Sequence, residues 1–329
     1  MIGSLNHIEL PDFRLSNGKQ KTIHVSYQIF GCQLHTAPII LVNHALTGNS
    51  SVNEWWSEIV GPKKAVDTSR YTVISIDIPG NGYDREVEHL IYNYQDWKLS
   101  DVARAFQQVL QELRVCYIHA GIGGSIGGCL LWEMTVIYPE LFGTIIPIAA
   151  DWKASDWIIA NCHIQERLLS HSSHPIEDAR QHAMTFYRTP QSLRNKFNRE
   201  IETDFKVKSW LNHHGRALKE RFTLPAYKLV NHLLINANAA LNYGNNILKA
   251  IANSDVKIRL IAINSDGFFT AQENRETFEL LSQYRDIDYQ EIYSIHGHDA
   301  FLIEHVQLAL ILKKHLKEIE PIALVKECV

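Results

Sequence analysis

The chain has 329 residues, of which 46% are hydrophobic and 21% charged, enough apolar material for a sizeable core and too much for a disordered or fibrous protein. A formal net charge of -4 and a pI near 6.5 give no overall attraction for nucleic acid or an anionic membrane, so both are excluded as partners. The five cysteines, Cys32, Cys116, Cys129, Cys162 and Cys328, are odd in number and contain no CxxC pair, which predicts reduced, buried thiols rather than a disulfide framework or a zinc site. Residues 1–14 lack the apolar core of a signal peptide and no run of 18 apolar residues occurs, so a soluble cytoplasmic protein is expected.

Residues 5–30 alternate apolar and polar on either side of Ser16-Asn17-Gly18, which predicts a hairpin turning at Asn17-Gly18. Residues 38–42, Pro-Ile-Ile-Leu-Val, form a continuous apolar run, the pattern of a strand buried on both faces of a parallel sheet. That run ends in the small-residue loop Asn43 to Gly48. Residues 55–66 read as an amphipathic helix, 71–76 as a further apolar strand, and Pro79-Gly80-Asn81-Gly82 as a loop. Trp97, Leu99, Val102, Phe106, Val109, Leu110 and Leu113 recur at helical spacing over 96–113. A β-prone run over 115–122 then leads into Gly123-Gly124-Ser125-Ile126-Gly127-Gly128, followed by a helical stretch over 130–138 and a strand over 142–150.

From about residue 152 to 253 the strand rhythm stops, and helical patterns are broken only at 172–175, 189–190 and 223–225. Residues 153–222 hold 12 Lys or Arg against 8 Asp or Glu, a balance of +4 that leaves -8 for the rest. A helical insertion here would lie over the sheet as a lid whose positive bias suits an anionic ligand; any single charge is better explained by a solvated helix face, and only the regional bias favours the ligand. Strands resume at 256–264, ending in Ser265-Asp266-Gly267, and at 287–295, ending in His296-Gly297-His298-Asp299; helices are expected over 271–283 and 301–319. The fold class is therefore α/β, a mostly parallel, doubly wound sheet with a helical lid: residues 1–151 and 254–329 form the core domain and 152–253 the insertion.

Strand, glycine turn bearing a serine, and helix make the nucleophile elbow of α/β-hydrolase folds, and Gly123-Gly124-Ser125-Ile126-Gly127 fits Gly-x-Ser-x-Gly. The pentapeptide alone is equally well an inert Gly-Ser loop. The chain order decides: a serine, an acid after one late strand and a histidine after the next are found at Ser125, Asp266 and His298. The imidazole takes the serine proton, and the carboxylate fixes the imidazole tautomer and stabilises its charged form. His298 is preferred over His296 because His296 is nearer the strand end. The N–H of Ile126 is the first expected oxyanion donor and that of Leu46 the second, although position alone leaves 43–48 equally readable as an ordinary βα loop.

His44-Ala45-Leu46-Thr47-Gly48, Trp56, Gly61-Pro62, Ala65-Val66-Asp67-Thr68, the Gly-Gly-Ser-Ile-Gly-Gly elbow, Ser265-Asp266 and Gly297-His298-Asp299-Ala300-Phe301-Leu302 together resemble the homoserine O-acetyltransferase family over most of the chain. The resemblance implies a fold of the α/β-hydrolase type, acetyl transfer from acetyl-CoA through a serine acyl-enzyme to the hydroxyl of L-homoserine, and a place in methionine biosynthesis. It further implies no bound cofactor beyond acetyl-CoA as co-substrate, small-molecule partners, and a cytoplasmic homodimer. By the same resemblance Arg180 and Tyr187 face the substrate and Asp299 receives its ammonium; the structural alternatives are a surface charge for Arg180 and a helix N-cap for Asp299. Two departures stand out. The loop after Asp77-Ile78 is short, ending at Asp84, and Cys162-His163 replaces the family's Asn-Glu beside Gln165. A serine hydrolase with the same triad, an acyltransferase for another donor or another alcohol such as serine, and a non-enzymatic binding protein are the competing readings.

Overall fold

The computed structural model describes residues 3–317. Eight strands form one sheet: β1 (Asn6–Arg14), β2 (Gln20–Gly31), β3 (Ile39–Asn43), β4 (Thr72–Ile76), β5 (Ile118–Gly124), β6 (Phe142–Ile148), β7 (Lys257–Ile263) and β8 (Ile287–Ile292). Their spatial order is β1-β2-β4-β3-β5-β6-β7-β8, with β1–β2 and β2–β4 antiparallel and every later pair parallel. All five residues of β3 and of β4 are buried: β3 is apolar up to Asn43, and in β4 the hydroxyls of Thr72 and Ser75 donate to the carbonyls of Gln33 at 3.1 Å and Val42 at 2.8 Å.

One face of the sheet packs on α1 (Leu99–Glu112) and α2 (Ile126–Ile137) through Phe106, Leu110 and Leu130. The other packs on α9 (His305–Lys317) through Leu308 and Leu312, with Trp56 beside them. The hairpin turn lies where Asn17-Gly18 placed it. It is fixed to the start of α1 by Asp101, which accepts hydrogen bonds from the Ser16 N–H at 2.8 Å and the Ser16 hydroxyl at 3.1 Å.

Between β6 and β7 the chain runs through α3 (Asp156–His171), α4 (Pro175–Tyr187), α5 (Pro190–Phe197), α6 (Lys206–Lys219) and α7 (Leu224–Ile235). Pro at the first turn of α4, α5 and α7 explains the sequence breaks, and Thr189 and Thr223 cap α5 and α7. The two ends of this excursion meet: Ala154 N donates to the carbonyl of Ala237, Ala239 N donates to that of Trp152, and Lys153 bridges Asn238. The remaining long helix, α8 (Ala271–Leu281), joins β7 to β8.

Three expectations need correction. Residues 55–66 are not a helix; a single turn, Val52–Trp55, gives way to the short parallel pair Val60–Gly61 and Val66–Asp67, because Gly61 and Pro62 interrupt the apolar period. The final helix begins at His305 rather than at 301, after the 3-10 turn Gly297–Leu302, and its expected end at 318–319 lies outside the described residues. Cys32, Cys129 and Cys162 are free thiols, but Cys116 is disulfide-bonded, so the expectation of reduced thiols fails there.

Candidate active site

Ser125 ends the turn between β5 and α2 with φ 56° and ψ -130°, a conformation that L-residues rarely adopt and that lifts its side chain out of the strand line. The turn is held by Ser125 N donating to Ile148 O at 2.9 Å. Crowding dictates the flanking glycines: a Cβ on Gly124 would lie 2.7 Å from the Phe301 ring, and one on Gly127 2.7 Å from the carbonyl oxygen of His44.

His298 lies in the 3-10 turn after β8, with Gly297 before it at φ 68°, where a Cβ would stand 2.7 Å from Tyr187 O. Its Nδ1 is 2.7 Å from Asp266 Oδ2 and its Nε2 is 3.0 Å from Ser125 Oγ. Asp266 Oδ1 accepts the Phe268 N–H at 2.7 Å and the Phe269 N–H at 3.0 Å, which fixes the carboxylate independently of the histidine. Ser125, Asp266 and His298 are all buried, and the imidazole is ringed by Tyr187, Phe268, Phe269 and Phe301 with centroids 5.3 to 5.7 Å away. His296 is elsewhere, its Nδ1 3.0 Å from Arg188 Nη2 and 2.9 Å from Ser192 Oγ, tying β8 to α5.

Leu46 and Ile126 are buried beside this centre, and neither backbone N–H has a hydrogen-bond partner among the described residues. Buried N–H groups are seldom left unpaired, and two of them at an elbow suit an oxyanion. Their loop is clamped from below. His44 Nδ1 donates to Ala45 O at 2.8 Å while Nε2 accepts the Ile78 N–H at 3.1 Å, and Asp77 accepts the Ser50 N–H at 2.8 Å and the Ser50 hydroxyl at 2.7 Å. Burial lowers the pKa of His44, in keeping with a neutral imidazole that donates from one nitrogen and accepts at the other.

Arg180 and Tyr187 share one face of α4, and the guanidinium sits 5.8 Å from the Tyr187 ring centroid. Burial raises the Asp299 carboxyl, opposed chiefly by the charge of Arg180, so these two groups feel one another across the same space. Burial together with Arg180, His213, Lys196 and Arg188 depresses His214 to about 4. Arg180, Lys196 and Arg188 of the insertion thus act together on one imidazole.

Residues to which sequence reading gave no role complete the arrangement. Arg221 Nη1 donates to Thr47 O at 2.7 Å, fastening the helical cover to the oxyanion loop. Gln165 bonds His182 at 2.6 Å and accepts from the Tyr227 hydroxyl at 3.1 Å, joining α3, α4 and α7. The regional charge bias was the only signal for Arg221, and no pattern in the sequence pairs Gln165 with Tyr227.

Comparison with known proteins agrees with this geometry. The family model for the alpha/beta hydrolase fold matches residues 38–302. Homoserine O-acetyltransferase from Cyclobacterium marinum is 30% identical over 302 residues, covering 85% of each chain. The structure of homoserine O-acetyltransferase from Bacillus anthracis superposes with a TM-score of 0.86 at 17% identity, over 99% of this chain and 100% of that one. Esterase E22 superposes with a TM-score of 0.83 at 18% identity, over 95% of this chain and 100% of its own. At such identities the two structures share the fold.

Proposed function

This chain belongs to the α/β-hydrolase fold family and, within it, to the homoserine O-acetyltransferase family, and from that premise we propose that it moves an acetyl group from acetyl-CoA to the hydroxyl of L-homoserine. The observation that carries the reading is the continuous relay Asp266–His298–Ser125 beside two unpaired N–H groups.

Ser125 Oγ attacks the thioester carbonyl as His298 Nε2 takes its proton, and the oxyanion forms against the N–H groups of Leu46 and Ile126. Collapse of that intermediate breaks the carbon–sulfur bond, and His298 returns the proton to the departing CoA thiolate. The acceptor hydroxyl then gives its proton to His298 and attacks the acyl-serine; the second collapse frees Ser125 and the ester. Each oxyanion donor contributes on the order of 3 kcal/mol.

For an alcohol to outcompete water, the site must be covered and the alcohol held. Residues 152–253 serve as that lid, with Arg180 for the amino-acid carboxylate and Asp299 for its ammonium, Tyr187 lying between Arg180 and the catalytic imidazole. The test measures free CoA from acetyl-CoA with and without L-homoserine. Homoserine should accelerate release, and a rate indifferent to it, with p-nitrophenyl acetate turned over equally well, would establish a hydrolase instead.

A further inference from the structure

Away from this centre, two segments distant in sequence bring two imidazoles and a carboxylate together. His7 comes from the edge strand β1, and Asp84 and His89 from the connection between β4 and α1. Asp84 Oδ2 is 2.6 Å from His89 Nδ1 and 4.0 Å from His7 Nδ1, and the three donor atoms lie within 4.8 Å of one another. The Asp84 side chain is only 7% exposed, yet no Lys or Arg among the described residues pairs with it. Its other oxygen accepts the Glu86 N–H at 3.1 Å, leaving Oδ2 directed at the histidines. A third imidazole, His24 of β2, stacks on His89 with centroids 4.0 Å apart and 15° between planes.

A nearly buried carboxylate surrounded by imidazoles calls for a positive charge. The 2.6 Å hydrogen bond from His89 is one answer, but it supplies a donor and no charge. Two neutral imidazoles and one carboxylate are instead the donor set of divalent transition metals, zinc above all, with water in the fourth position. We propose that His7, Asp84 and His89 form a binding site for a zinc-type divalent ion.

Ligand atoms at about 2.1 Å from such an ion stand roughly 3.4 Å apart. The 2.6 Å and 4.0 Å separations straddle that value, and His7, 43% exposed on an edge strand, can supply the movement. A cavity of about 230 Å³ borders His89 on the side of His24 and Glu88, while His7 is itself exposed. Bound there, the ion would tie β1 to the segment whose opposite end, Asp77, holds Ser50 under the oxyanion loop.

Chelator-treated, tag-free full-length protein would be titrated with zinc chloride by calorimetry and, separately, with cobalt chloride while the visible d–d spectrum is recorded. One equivalent per chain and a tetrahedral cobalt spectrum are expected. His7→Gln and His89→Gln should each weaken zinc binding by at least about tenfold, and His7→Gln, at an exposed position, should leave the chelated protein's melting temperature unchanged. Zinc at a hundredfold excess over its dissociation constant should raise the melting temperature of the wild type and not of the double variant. With 17 histidines in the chain, stoichiometric binding that survives in the double variant would place the metal elsewhere and overturn the assignment, as would no uptake at millimolar zinc.

Discussion

The backbone of Gly127 passes so close to that of Asn43 that a Cβ on the glycine would lie 2.6 Å from the Asn43 carbonyl oxygen. Asn43 answers by donating its side-chain amide to the Gly127 carbonyl at 3.2 Å. This contact sets the distance between the loop carrying Leu46 and the helix start carrying Ile126. Gly127→Ala should therefore separate the two oxyanion donors, lowering kcat by about 10²-fold with a smaller change in KM, at a stability cost of about 1–3 kcal/mol. Steady-state kinetics and thermal melting check both, and wild-type kcat in a folded Gly127→Ala protein would refute this role for the contact.

Asp266 is held by the N–H groups of Phe268 and Phe269 as well as by His298, so its amide variant should keep the local geometry while reversing the tautomer. Asp266→Asn is expected to lose about 10⁴-fold in kcat, and Ser125→Ala and His298→Ala to be equally disabled. Because the three act as a unit, the double variant Ser125→Ala/Asp266→Asn should be no worse than Ser125→Ala alone. Fluorophosphonate should label wild-type Ser125 and leave Ser125→Ala unmarked.

Removing the guanidinium at 180 should separate the two half-reactions. Arg180→Leu is expected to raise the homoserine KM by about 10- to 100-fold, the worth of one charge-assisted hydrogen bond, while the burst of p-nitrophenol from p-nitrophenyl acetate stays within about twofold. Asp299→Asn should behave similarly. Equal losses in the burst and in the full reaction would show that Arg180 serves the lid's structure rather than the acceptor.

Glu133, on α2 behind the elbow, is pushed up to about 7 by burial, against an ordinary value of 4.5. Between those two values the unfolded chain has lost the proton that the folded chain retains. Stability therefore falls as pH rises through this window and is fully reduced above about 7. Between pH 5 and pH 8 the wild type should lose on the order of 2 kcal/mol more than Glu133→Gln, measured by urea unfolding at each pH. Parallel pH profiles for the two proteins would mean that Glu133 ionises normally.

The sheet was largely legible because parallel strands buried on both faces leave long apolar runs, as β3 does over Ile39 to Val42. The elbow was legible because its backbone tolerates few side chains. Ser125, Asp266 and His298 could be chosen by chain order, and the coordinates place them within hydrogen-bonding distance. Local pattern failed where tertiary contacts decide. Residues 55–66 carry a helical period, yet Trp56 is claimed by the core and donates its indole N–H to Phe301 O at 3.1 Å. The helix expected from 301 is delayed because His298 and Phe301 occupy a tighter turn facing the elbow. Pairings such as Arg221 with Thr47, 174 residues apart, leave no local trace.

The helical excursion leaves and rejoins the sheet through the bridge at Lys153 and Asn238, and it is fastened to the core again by Arg221 to Thr47 and by Arg188 and Ser192 to His296. Exchange of the segment between Lys153 and Asn238 would carry over Arg180 and Tyr187, proposed above to face the acceptor, while leaving in place Asp299 and the strands that present the nucleophile. A lineage could thus trade one alcohol for another by recombination, inheriting the same acylation chemistry each time.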